Sequence, residues 1–104
     1  MAYCMLGDKI SAEEAQRIGM IYKMIDVETF ETEVGQLASK MAQMATHGLA
    51  LTKRAINASM KNSFHEQLAL ETELQIEAAN TADYREGVAA FVEKRKPVFT
   101  GKKS

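Results

Sequence analysis

Cysteine, proline and glycine are all scarce in this 104-residue chain. Cys4 stands alone, so no internal disulfide forms, and a reducing compartment such as the cytoplasm is the expected setting. One proline, Pro97, and six glycines are too little punctuation for a turn-rich all-β fold. No uncharged apolar run approaches the roughly 18 residues of a membrane span, and no basic segment followed by an apolar one opens the chain. A membrane protein and a standard secreted precursor are both disfavoured. His47, His65 and Cys4 lack the spacing of metal ligands. There is no GxGxxG, and Gly101-Lys102 lacks the upstream glycine of a phosphate loop. Asn57-Ala58-Ser59 fits a glycosylation triplet, which without a secretion signal is coincidence.

What is present fits one small, mostly helical domain. Hydrophobic residues make up 46% and charged residues 26%. A chain of this length buries roughly two thirds of the surface it exposes when unfolded, enough for a modest core. Charge is near balance but unevenly placed. Residues 94–103 hold five of the thirteen basic groups and no acid, whereas the remaining residues carry all fourteen acids against eight bases. Such a basic end can grip phosphate or another anion, although on charge alone it reads rather as a solvated, frayed terminus. Nucleic acid is an unattractive partner, because the body is acidic and few aromatics interleave with the basic residues.

Local signals divide the chain. Ser11 with Glu14 forms a capping-box pattern for a short helix through Arg17, ended by Gly19. Met20–Ile25 is short and rich in strand formers, and it reads as one strand or an extended segment that lacks an obvious neighbour. Asp26 to about Thr46 has Phe30, Val34, Leu37 and Met41 at helical spacing, with Gly48 as its end or the following turn. A further helix is expected from Leu49 to about Met60. A second capping box, Ser63 with Glu66, opens one running to about Asn80. Asp83 with Glu86 gives a similar start for the last helix, which ends near Pro97 and carries Tyr84, Val88, Phe91 and Arg95 on one face. The expectation is about five helices and one short strand.

The helix from Phe64 is unusual in its apolar coverage. Phe64, Leu68, Ile76 and Ala79 lie on one side of the wheel, and Leu70, Leu74 and Ala78 on the other, together spanning about 240°. A helix of that kind is covered on two sides, either inside a small bundle or by a second subunit as well. Chemistry is sparse. Asp83 and Glu86 are better explained as capping and dipole compensation than as a catalytic carboxylate pair. Glu71, which intrudes on the apolar arc, is the acid expected to have an unusual environment. The two histidines read as surface residues. No nucleophile or general base forms a complete active site.

The segment TADYREGVAAFVEKRKPVFTG, Thr81 to Gly101, closely resembles the C-terminal signature of the enoyl-CoA hydratase/isomerase (crotonase) superfamily. LGDKISAEEAQRIGMIYKMID, Leu6 to Asp26, resembles the stretch in those enzymes that leaves the catalytic spiral domain, and LALTKRAINAS, Leu49 to Ser59, resembles their next helix. THGLALTK and DYREGV are most similar to the ring-epoxide isomerases of phenylacetyl-CoA breakdown.

The resemblance implies that residues 1–104 form the C-terminal helical domain of a crotonase-like fold, without the spiral domain that holds the catalytic carboxylates and the N–H pair stabilising a thioester enolate. On that basis the chain is expected to be inactive alone. It would supply homo-oligomer contacts, in a trimer or hexamer of the parent, and cover part of an acyl-CoA thioester site. The family's AF-x-x-K motif falls on Phe91 and Lys94, implying that they approach the adenine and phosphate of coenzyme A. Arg95 and Lys96 are secondary candidates for the phosphates. No covalently bound cofactor is implied. From the residues alone, Phe91 reads rather as a core residue beside Val88 and Lys94 as a solvated one. The alternative overall reading is a stand-alone helical interaction module with a basic tail.

Overall fold

Residues 2–102 are described by the computed structural model, which contains six helices among them: α1 Ala2–Leu6, α2 Ala12–Arg17, α3 Phe30–Ala42, α4 Thr46–Ser59, α5 Phe64–Ala79 and α6 Ala82–Val92. The chain divides into two compact units, residues 1–36 and 37–104.

In the first unit, the Ser11 hydroxyl accepts the Glu14 N–H at 3.2 Å and starts α2. Only half of the expected capping box forms. The Glu14 carboxylate faces the Arg17 guanidinium at 2.6 Å and accepts the Tyr3 hydroxyl at 3.0 Å instead. The helix closes in a Schellman motif: Gly19, at φ 75°, donates its N–H to Gln16 and Met20 donates to Ala15. The strand expected over Met20–Ile25 is absent, since those residues form turns and irregular chain. The reason lies in hydrogen bonding. With no adjacent strand, the N–H groups of Met20 and Ile21 both turn to the Ala15 carbonyl, and Met24 donates to the Gln16 side chain at 2.5 Å. Asp26–Thr29 is a turn closed by Thr29 N–H to the Asp26 carbonyl, so α3 starts at Phe30. Lys23 pairs with Glu33 across that turn.

In the second unit, α4 lies along α5, and α6 packs more briefly on α5. Gly48, expected to end a helix, sits inside the first turn of α4, which begins at Thr46. The capping box at α5 forms in full: Glu66 N–H reaches the Ser63 hydroxyl, and Ser63 N–H reaches the Glu66 carboxylate at 2.7 Å. Leu51, Leu74 and Ala90 are the buried apolar residues of this unit. Most other large apolar side chains stay exposed, including Phe64, Leu68, Ile76, Val88 and Phe91. One side of α5 is therefore covered by its own unit and the other is open to solvent.

The start of α6 corrects the sequence expectation. Thr81 is its N-cap, accepting the Tyr84 N–H at 3.1 Å while donating to the Ala78 carbonyl at 2.7 Å. Asp83 and Glu86 do not cap the helix. Their carboxylates bind the chain that follows it.

Candidate functional site

Helix α6 ends at Val92, short of Pro97, and the chain then reverses. Arg95 N–H reaches the Ala90 carbonyl at 3.0 Å and Lys94 N–H the Phe91 carbonyl at 3.4 Å. This is a second Schellman motif, with Lys94 at φ 56° where the first has a glycine. Beyond the reversal the tail runs back against α6. Glu86 accepts both terminal nitrogens of Arg95, at 2.6 and 2.9 Å, and the N–H of Val98 at 2.8 Å. Asp83, only 3% exposed, accepts the Thr100 N–H at 2.7 Å, the Thr100 hydroxyl at 3.1 Å and the Gly101 N–H at 2.8 Å.

These contacts explain the acidity of both carboxyls. The Arg95 guanidinium, then the Val98 N–H, hold Glu86 down from an ordinary 4.5 to about 2. The Thr100 N–H, opposed by burial and helped by Gly101, holds Asp83 below its ordinary range. Glu71, the acid expected to have an unusual environment, is exposed and accepts the Gln67 amide at 2.7 Å.

Phe99 lies against Gly87, where a Cβ would stand 3.6 Å from its ring. At the tail's end, Gly101 comes against the Thr46 hydroxyl so closely that a Cβ there would collide with it, and its φ of 70° favours glycine independently. The supposed frayed terminus is pinned through residue 101. Lys103 lies outside the described residues.

The sequence-nominated pair is brought together at the reversal. Phe91 is 74% exposed, so it is not core, and the Lys94 ammonium stands 4.6 Å from its ring centroid. The ammonium lies over an aromatic face on an otherwise exposed side chain. Arg95, by contrast, is committed to Glu86 and to Glu93, at 2.5 Å, which removes it as a ready phosphate ligand. Lys96 and Lys102 remain exposed.

Beside the pair runs an apolar groove of about 400 Å³, lined by His47, Tyr84, Val88, Phe91 and Phe99 among others. His47 is not the surface residue expected of it. Its Nε2 is buried without a well-formed hydrogen bond, 3.2 Å from a Glu77 carboxylate oxygen. A second groove, about 610 Å³, lies between α4 and α5. Among the described residues no group of three His, Cys, Asp or Glu side chains is arranged to hold a metal ion. No helix among them is long and apolar enough to cross a membrane.

The chain is similar to known proteins over nearly its full length. It is 47% identical over 102 residues to 1,2-epoxyphenylacetyl-CoA isomerase of Escherichia coli K12, covering 98% of this chain and 39% of that protein. It is 41% identical over 102 residues to a probable enoyl-CoA hydratase of Rhodobacter capsulatus, covering 98% and 40%. Among solved structures, it superposes on an enoyl-CoA hydratase from Polaromonas sp. JS666 with TM-score 0.86 and 29% identity, over 92% of this chain and 37% of that one. For an enoyl-CoA hydratase from Mycobacterium tuberculosis H37Rv the TM-score is 0.85 and the identity 28%, over 97% and 42%. The chain therefore spans about two fifths of the length of these relatives. The family model described as enoyl-CoA hydratase/isomerase matches residues 1–102, and the chain belongs to that family.

Proposed function

We propose that this chain is the C-terminal helical part of an enzyme that acts on acyl-CoA thioesters through an enolate, and that its share of the work is to hold coenzyme A and join subunits. The observation that carries the reading is the exposed ring of Phe91 with the Lys94 ammonium over it. Lys94 stands just past the end of α6, in a left-handed conformation with its ammonium over the ring, so the ring can receive the adenine while the ammonium moves onto phosphate. Stacking on a base contributes about 1–3 kcal/mol. An exposed ion pair adds less than about 1 kcal/mol. Phe91 is thus the stronger contact and Lys94 the orienting one.

The catalytic carboxylates and the oxyanion donors belong to the remainder of the family fold, so the chain alone is inactive in this reading. Similarity to the epoxide isomerase favours a related ring-epoxide chemistry in the whole enzyme. The exposed apolar side of α5 supports assembly into a trimer or hexamer, and the cytoplasm is the proposed setting.

The test is the coenzyme A affinity of the assembled enzyme, with this segment joined to the rest of the family fold. Phe91→Ala is expected to weaken binding about 5- to 150-fold and Lys94→Ala by up to about 5-fold, with melting unchanged. Unaltered affinity in both variants removes the coenzyme A role. A salt-sensitive interaction with a protein, lost on removing residues 94–104 and indifferent to coenzyme A, would instead support the interaction-module reading.

A further inference from the structure

The two helix ends with Schellman motifs pose a contrast. At the end of α2 the left-handed position is filled by Gly19, the residue type that adopts it without steric cost. At the end of α6 the same position holds Lys94, the one non-glycine at positive φ among the described residues. A side chain with a Cβ is disfavoured there, and it persists only where the surroundings fix the backbone. The surroundings are Glu86 and Asp83, one turn apart on α6 and facing the returning chain. Glu86 takes the guanidinium fork of Arg95, the residue directly after Lys94, and then the Val98 N–H. Asp83 takes Thr100 and Gly101. The returning chain is thus gripped at the first residue beyond Lys94 through its side chain, and at the fourth, sixth and seventh through backbone N–H groups, leaving the reversal little freedom.

We infer that Glu86 and Asp83 are positioning residues for the coenzyme A contact: by gripping the returning tail they hold Lys94 in the left-handed conformation that sets its ammonium over the Phe91 ring. The inference rests on the coenzyme A reading of Phe91 and Lys94. It adds that the lysine is kept at a glycine-favouring position for its side chain, and that carboxylates contacting no ligand set the lysine's place.

The experiment is calorimetric titration of the assembled enzyme with coenzyme A, paired with thermal melting. Lys94→Gly is expected to melt at an equal or higher temperature, because the backbone strain is relieved, and to bind coenzyme A up to about 5-fold more weakly. Glu86→Gln is expected to give a loss of the same size. Arg95→Lys, which keeps the charge but loses the fork, is expected to follow it, and it serves if Glu86→Gln folds poorly. In the Lys94→Gly background, Glu86→Gln should produce no further loss, since its effect runs through Lys94.

The outcomes separate the two readings. Unchanged affinity in Lys94→Gly overturns the coenzyme A role of Lys94, and the positioning inference with it. A loss in Lys94→Gly with none in Glu86→Gln and Arg95→Lys overturns positioning alone. So does an equal loss from Glu86→Gln whether or not Lys94 is present, or a lower melting temperature for Lys94→Gly.

Discussion

Glu86 and Asp83 are acids whose charge is stabilised by the fold, which gives the tail a defined response to pH. Both carboxyls lie below their ordinary values in the folded chain, Glu86 at about 2 against 4.5. The folded state therefore binds fewer protons than the unfolded one. Their contribution is complete above about 4.5 and is lost as the pH falls through about 2. The amides of Val98, Thr100 and Gly101 are expected to lose hydrogen-exchange protection across that window, ahead of those in α5. In Glu86→Gln the Val98 amide should be poorly protected at neutral pH already. Protection that stays constant from neutral pH to pH 2 would contradict the role given to these carboxylates.

At the scale of elements, the starts of α5 and α6 depend on single hydroxyls. Ser63 and Thr81 each satisfy a first-turn N–H, of Glu66 and Tyr84 respectively. Replacing either by alanine is expected to cost about 1 kcal/mol. For a domain of this size that lowers the melting midpoint by about 4–8 °C, measurable by circular dichroism. Thr81→Ala should be the more damaging, because Thr81 is buried and its hydroxyl also donates to Ala78. Equal midpoints for Thr81→Ala and the parent chain would show that α6 is held by its packing and tail alone.

Across the whole molecule, little apolar surface is hidden. Leu74, on one side of α5, is 5% exposed, whereas Ile76, on the other, is 59% exposed. The open face is therefore the side carrying Phe64, Leu68 and Ile76 rather than the one carrying Leu74. Contiguous exposed apolar patches promote association. Sedimentation of the chain from micromolar to millimolar concentration is expected to show self-association, reduced by Leu68→Lys with Ile76→Lys. A strict monomer throughout would count against this face as a contact surface.

Local chemistry was readable without tertiary structure. The Ser63–Glu66 box, the glycine stop at Gly19 and the periodic apolar residues of α3, α4 and α5 act over one or two turns, and each appears near its expected place. The family was legible as well, in the run from Thr81 to Gly101. Errors arose where a residue's partner lies far along the chain or where a needed partner is missing. Met20–Ile25 has strand-forming residues but no strand to pair with, so its N–H groups turn back to α2. Asp83 and Glu86 sit where capping acids sit. Their partners are 17 and 9 residues away, and only the reversal after α6 brings them within reach. That reversal also decides that Arg95 is spent on Glu86 and that Lys94 meets Phe91. The sequence by itself determined most of the helices, the caps at Ser11 and Ser63, and the candidate residues for a ligand. The tertiary structure decided which acids hold the tail and where the lysine stands, because hydrogen bonds between distant residues exist only once the chain has turned.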